Sequence, residues 1–290
     1  MAIVSVEEVG GGKGLVRFTE LPQALHGTDP RFAPPITAWE RYRLSRYRNP
    51  YVRDAEVALL LARRGGQPVG RIAAHLAAPG EEGRFGFWAC PDDLEVATAL
   101  VDAAREWLRE HDCTSMAGPW SFEPHDEPGL LVAGHDVAGT TGRPWRPASE
   151  AQVLQAALGD ATVVDEHRTW RLATSDAAPV LPPGGPAPGQ AGPYADPRIT
   201  LEGIAAVPDV SDVLRTTGLR SAWSVARRAR ERAWEGCTVV RCDLDPAVAV
   251  SSLLGAAGRA GYRWAIVPWS PDPDAPPETV HRTYRVDLEP

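Results

Sequence analysis

The sequence predicts an α/β protein with mixed sheets (α+β in its details), built as two similar domains in tandem. Three observations carry this. A strand, an acidic turn, a helix and a second strand occur twice. The first copy runs from Arg84 to Cys90, through Pro91-Asp92-Asp93 and a helical stretch Leu94 to Glu110, into Cys113 to Trp120. The second runs from Thr238 to Cys242, through Asp243-Leu244-Asp245-Pro246 and an apolar helix to Arg259, into Gly261 to Trp269. Between the copies, residues 173–197 are dominated by Pro, Ala and Gly, which cannot bury enough apolar surface to order themselves. The expected division is therefore domain 1–172, linker 173–197 and domain 198–290.

Taken in order, Leu15 to Thr19 reads as a short strand and Thr28-Asp29-Pro30 as a turn. Ala38 to Arg48 reads as a helix closed by Asn49-Pro50. The runs Glu56 to Arg63 and Val69 to Ala77, separated by Gly65-Gly66, form an antiparallel hairpin, and Arg84 to Cys90 a third strand. From Leu94 the apolar positions Ala97, Leu100, Val101, Ala104, Trp107 and Leu108 recur at helical spacing, with Asp92 and Asp93 suited to cap the first turn. Gly129 to Val132 follows as a strand. In the second half, Ile199 to Ala206 is a strand, Ser211 starts a helix, Trp223 to Trp234 is an Arg-rich helix, and Thr283 to Leu288 is the closing strand.

Composition narrows the function. A hydrophobic content of 43% with 23% charged residues is globular, and a net charge of -8 argues against sequence-independent nucleic-acid binding, which needs surplus Lys and Arg. No apolar stretch reaches membrane-spanning length and no export signal opens the chain, so a cytoplasmic protein is expected. Cys90, Cys113, Cys237 and Cys242 lack metal or redox spacing and read as small buried residues, and no ligand array for a metal is present. Gly10-Gly11-Gly12-Lys13-Gly14 lacks the Ser or Thr of a phosphate loop, and no helix is expected after it.

The order of elements in each half resembles the GNAT superfamily of acyl-CoA-dependent N-acyltransferases, and more narrowly bacterial tandem GNAT-like proteins. The matching residues are Asp29-Pro30, Pro34-Pro35, Asn49-Pro50-Tyr51, Val69 to Ala74, Phe85-Gly86-Phe87-Trp88, Asp92-Asp93, Gly118-Pro119 and Gly129-Leu130-Leu131. In the second half they are Gly261-Tyr262-Arg263, Trp269 and Thr283-Tyr284-Arg285. The resemblance implies a coenzyme A diphosphate held by a glycine-rich turn at a helix start. Here both such turns carry Pro, which lacks an amide donor, and Asp, whose charge repels a phosphate, so acyl-CoA is a doubtful cofactor and none is expected. The tyrosine that the superfamily places on a short helix after the fifth strand also has no counterpart, because Ser270 to Pro277 is broken by proline. Tyr284 remains on the final strand.

Candidate chemistry centres on Phe122 to Gly129, where Glu123, His125, Asp126 and Glu127 crowd a proline-bounded loop at a strand end. Ionisable groups so constrained are where a general base for an amine would sit; the alternative is a polar surface turn. Trp120 adjoins that loop. Strand periodicity puts Arg71, Ala73 and His75 on one face, and His75 reads either as a ligand-binding or a core residue. Arg41, Arg43, Arg46, Arg48 and Arg53 lie among aromatic residues including Tyr51, a pattern for binding an acidic group or simply a solvated face. Arg227, Arg228, Arg230 and Arg232 form a second such patch. Arg46, Tyr51, Arg71, His75, Trp120 and Tyr284 are thus the expected substrate contacts. The expected function is binding an amine-bearing small molecule and activating its nitrogen, most simply for acyl transfer. The donor could be a carrier protein or an aminoacyl-tRNA; intramolecular displacement by the amine and a non-catalytic role beside a second subunit are the alternatives.

Overall fold

The computed structural model describes residues 3–76, 82–122, 127–174, 204–211, 214–215, 236–242, 246–268, 270, 272 and 274–288. Its first strand, β1 (Val4–Glu8), leads through Gly10 to Gly12 into helix α1 (Lys13–His26). The strand expected at Leu15 to Thr19 is therefore helix, and the glycine run does precede one. The five-residue window concealed a helical stripe: Phe18, Leu21, Pro22 and His26 are buried at spacings of three, one and four. Short helices α2 (Thr37–Arg43) and α3 (Pro50–Asp54) follow. The Asn49 side chain accepts the Tyr51 amide and Pro50 occupies the first helical turn, so the local sequence starts α3.

The hairpin is β2 (Glu56–Arg64) and β3 (Gln67–Leu76), with β4 (Gly83–Ala89) antiparallel to β3. Helix α4 (Leu94–Glu110) buries Val96, Ala97, Leu100, Val101, Ala104 and Leu108, whereas Leu94 is half exposed. Each of its larger apolar side chains stabilises by roughly 2 kcal/mol on burial. Gly70 of β3 lets the helix approach, since a Cβ there would meet Leu100 and Val96 at 2.8 Å. The chain continues through β5 (Ser115–Gly118), β6 (Leu130–Ala133), α5 (Ala148–Leu158) and β7 (Thr162–Ala173). It ends with β8 (Ile204–Pro208), β9 (Gly236–Cys242), α6 (Pro246–Arg259), β10 (Trp264–Val267) and β11 (Thr279–Asp287). Neither α5 nor β7 was legible in advance.

Among the described residues eleven strands form one mixed sheet in the order β1-β2-β3-β4-β5-β11-β7-β10-β9-β8, with β6 also pairing β11. The parallel pairs are β4 with β5 and β10 with β9, the two strand-helix-strand repeats. The halves then exchange strands. β5 pairs antiparallel with β11 from the chain's end, β10 pairs antiparallel with β7 from its first half, and β7 and β11 pair with each other. Residues 175–203, most of the expected linker, lie outside the described residues, as do Asp243 to Asp245 and the Arg-rich stretch 223–234.

Side-chain alternation sorts the first half into two layers. Ile72, Ala74 and Leu76 of β3 join the core under α4 and α5, while Ala73 joins the cluster of Phe18, Leu21, Phe87 and Phe122 under α1. Arg71 and His75 share the α1 side with Ala73. No described helix is long and apolar enough to cross a membrane.

Candidate functional site

The α1 side of the sheet carries a cavity of about 160 Å³, lined by apolar residues including Phe32, Pro34, Ile36 and Phe87 and by Glu40, Arg43, Arg71, Glu127 and Arg146. Five ionisable groups on apolar walls are unusual, because burying charge is costly unless it is paired.

Local chemistry places each. Pro22 lies inside α1 and has no amide hydrogen, so the Phe18 carbonyl loses its helical donor. Arg71 supplies the replacement, its Nη1 donating to Phe18 O at 2.7 Å while the guanidinium lies 4.8 Å from the Phe18 ring centroid. Arg43 at the end of α2 donates to Glu40 Oε1 at 3.0 Å and to Ser121 O at 3.1 Å. Arg146 donates to Glu127 Oε1 at 2.8 Å and lies 3.6 Å from Glu150 Oε2. Glu150, fully buried on α5, also accepts from Cys90 N at 2.7 Å and His26 Nε2 at 3.1 Å, tying β4, α1 and α5 behind the cavity.

Among the buried polar atoms left over here is one on each of two facing residues. Arg71 Nε and Glu40 Oε2 have no hydrogen-bond partner, and Arg71 Nη1 is 4.0 Å from that same Glu40 oxygen. A ligand group that accepts from one and donates to the other would satisfy both. Burial lowers the Arg71 pKa to about 10 against the opposing pull of Glu40, so the side chain stays cationic at neutral pH. Burial pushes the Glu127 carboxyl up, but Arg146, Ser121 and Arg43 outweigh it and hold the group below its ordinary range. Glu127 is thus an ionised acceptor.

The wall between β4 and β5 is strained. The register of β3 and β4 shifts between Arg71 and Ala73, and Phe87 opposite has φ 51°. Phe122 has φ 72°, and its ring centroid is 4.8 Å from that of Phe87. Bulges and left-handed non-glycine residues concentrate where side chains are re-aimed into sites. β4 and β5 pair only at Gly83 with Met116 and Arg84 with Ala117, and residues 120–122 continue against β4. Trp120 N donates to Phe85 O at 2.6 Å and Phe87 N to Ser121 Oγ at 3.1 Å.

His75 lies behind this segment. Its Nε2 is 3.1 Å from Trp120 O, which can only accept, so Nε2 carries the hydrogen and Nδ1 accepts from the Tyr51 hydroxyl at 2.6 Å. Burial pushes its pKa down to about 4. Tyr51 packs on Phe122 at 5.3 Å. Neither lines the cavity.

Of the expected site residues, the structure brings Arg71 and Glu127 to the cavity wall and Tyr51, His75 and Trp120 to the layer behind it. Tyr284 is buried in the α4 core and bonded to Gln155, and Arg46 is exposed. Glu123, His125 and Asp126 lie outside the described residues, but Phe122 and Glu127, which bracket them, are both in this region. Sequence reading missed Glu40, Arg146 and Glu150. Arg146 and Glu150, four apart at the start of an apolar run, were the available signal.

The second half closes the cavity with Val210, Ser211 and Leu214. Asp209 Oδ1 accepts from Thr141 N at 3.0 Å and Thr141 Oγ1 at 3.1 Å, and Arg215 Nη1 donates to Gly139 O at 2.6 Å. At the start of α4, Asp93 Oδ1 accepts from Val96 N and both its oxygens bind Arg64, which also pairs with Glu95. A diphosphate there would meet a filled cap, two further carboxylates and a proline without N–H. Among the described residues no group of three or more His, Cys, Asp or Glu could hold a metal ion.

No family model matches the chain. It is 39% identical over 143 residues to a bacterial ceramide synthase of Caulobacter vibrioides, covering 47% of this chain and 37% of that protein. It is 32% identical over 149 residues to Protein YghO of Escherichia coli, covering 48% and 38%. The chain thus spans well under half the length of these curated relatives. Among solved structures, a tandem GNAT protein from the clavulanic acid biosynthesis pathway aligns over 99% of both chains with a TM-score of 0.51 and 14% identity. A GCN5-related glucosamine N-acetyltransferase region of a fungal multi-domain β-N-acetylglucosaminidase aligns over 98% of this chain and 38% of that one, with a TM-score of 0.55 and 11% identity. The fold is that of the GNAT N-acyltransferases, in tandem.

Proposed function

We propose that the chain is an N-acyltransferase-like enzyme that holds the amine of a small acceptor in the cavity of Glu40, Arg43, Arg71, Glu127 and Arg146. The observation that carries this reading is the unsatisfied pair of Arg71 Nε and Glu40 Oε2 in a buried cavity. Glu40 Oε2 accepts an N–H of the acceptor and orients its lone pair. Burial and three guanidinium groups nearby disfavour an ammonium ion against the opposing pull of Glu40, and so favour the amine's neutral, nucleophilic form. The amine nitrogen attacks the acyl carbonyl, Arg71 receives the developing oxyanion, and collapse expels the donor's leaving group. The nitrogen's proton passes to a base from Glu123, His125 or Asp126, beside Glu127 in sequence, and the leaving group takes up a proton in turn. Tyr51 and His75 position the 120–122 wall.

The capped start of α4 and its Arg64 tie favour a donor not gripped by a nucleotide diphosphate at that turn, such as an acylated carrier protein or aminoacyl-tRNA. A relative named for making ceramide, itself an N-acyl amide, is compatible with an amine acceptor that carries a long chain. The test is acyl transfer by the full chain to a panel of short and long-chain amino alcohols, with acetyl-CoA, palmitoyl-CoA and acyl-carrier protein as donors. Amide product with the carrier and none with either thioester of coenzyme A supports the whole reading. Product with acetyl-CoA, together with micromolar binding of it in calorimetry, overturns the donor assignment. Amine binding without product from any donor favours the alternative of a binding subunit.

A further inference from the structure

A second, smaller cavity of about 10 Å³ lies at the seam of the two halves, next to the first and sharing Thr140 and Pro144 with it. Arg143 reaches this seam from the turn after β6. Its Nη1 donates to Gly142 O at 2.7 Å, and its Nη2 lies 3.0 Å from His167 Nε2 on β7 and 3.3 Å from Val239 O on β9. All these partners are neutral acceptors. No carboxylate among the described residues pairs with Arg143, although the group is fully buried, and burial alone lowers its pKa to about 10. The one carboxylate on the cavity wall, Glu278, is engaged by Arg171 at 2.8 Å.

Four polar atoms of the wall residues are buried without a partner: Arg143 Nε, Thr140 Oγ1 and both ring nitrogens of His281 on β11. Unsatisfied buried polar atoms are rare in native proteins, and a buried cation without a counter-ion is rarer. A neutral imidazole always has one N–H, so a guanidinium N–H, a hydroxyl and a ring N–H are three donors around a space of one water-sized body.

From this geometry we infer that the seam is a binding site for a single small anion of halide size, held by Arg143, Thr140 and His281. The ion supplies the charge that Arg143 lacks and links β11 to the turn that also walls the larger cavity. The site is independent of the acyl-transfer reading. Without the ion, burial and Arg143 push His281 well below the ordinary histidine range.

Two experiments on the full chain test it. Crystals grown in bromide and measured at the bromine edge should give an anomalous peak within hydrogen-bond distance of Arg143 Nε and a His281 nitrogen. In solution, replacing gluconate by about 0.15 M chloride at constant ionic strength should raise the melting midpoint by roughly 4 °C for a millimolar site. Thr140→Val, which removes one donor and no charge, should weaken the chloride dependence at least fivefold. Density without anomalous signal means a water and overturns the proposal, as does a midpoint indifferent to chloride in the unsubstituted protein.

Discussion

Replacing Gly86 by alanine tests how tightly the 120–122 wall is fixed against β4. A Cβ at Gly86 would stand 1.8 Å from Trp120 O and 2.3 Å from its carbonyl carbon, inside the 3.0 Å that real Cβ atoms respect, and both obstacles are backbone. Relief requires the segment to move by more than about 1 Å. That displacement breaks the bonds from Trp120 N to Phe85 O, His75 Nε2 to Trp120 O, Phe87 N to Ser121 Oγ and Arg43 Nη2 to Ser121 O. At about 1 kcal/mol net for each, Gly86→Ala should cost roughly 4 kcal/mol. For a chain of this size that is a melting midpoint lower by about 7 °C. Urea titration followed by tryptophan fluorescence measures it, with Gly10→Ala as control, since a Cβ there meets nothing within 4 Å. A loss below about 1 kcal/mol for Gly86→Ala would refute the packing argument and with it the placement of Arg43 against the cavity.

Two further outcomes follow from buried polar groups. Glu150→Ala removes the acceptor shared by Cys90 N, His26 and Arg146, leaving an unpaired buried guanidinium face, and should cost about 4 kcal/mol by denaturant titration, whereas Glu150→Gln should cost less. His75 gives a pH dependence. Its folded-state pKa, about 4, lies below the unfolded value near 6.5, so the unfolded chain binds the proton more tightly and stability falls as pH drops from 6.5 towards 4. Between pH 7 and pH 5 this group alone should remove about 2 kcal/mol. His75→Gln should flatten that part of the profile in urea midpoints taken across the range; an unchanged slope would contradict a buried neutral imidazole.

Much of the first half was legible because its signals are local. The hairpin, β4 and α4 announce themselves by alternation, Gly65-Gly66 and the Asp93 cap. Helix α1 was misread because Leu15 to Thr19 alone looks like a strand, and only the window extended to His26 shows the buried helical stripe. The strand exchange was not legible, since the pairing of β11 with β5 joins residues about 170 positions apart. The cavity was half legible. Arg71 and Glu127 stood out, but Glu40 sat unremarked inside the Arg-rich stretch. The reason Arg71 turns towards the cavity, a proline four residues beyond Phe18, is visible only once α1 is known to be a helix.

The central claim is that Glu40 holds the acceptor's amine while Arg71 receives the developing oxyanion. Its most direct measurement is the rate of amide formation by full-length protein and by Glu40→Gln, Arg71→Ala and Arg46→Ala, at saturating donor over a range of amine concentrations. The account predicts that Glu40→Gln raises KM for the amine at least tenfold, that Arg71→Ala lowers kcat at least a hundredfold, and that Arg46→Ala changes neither. Full activity in the first two variants, with their folds intact by circular dichroism, would contradict it.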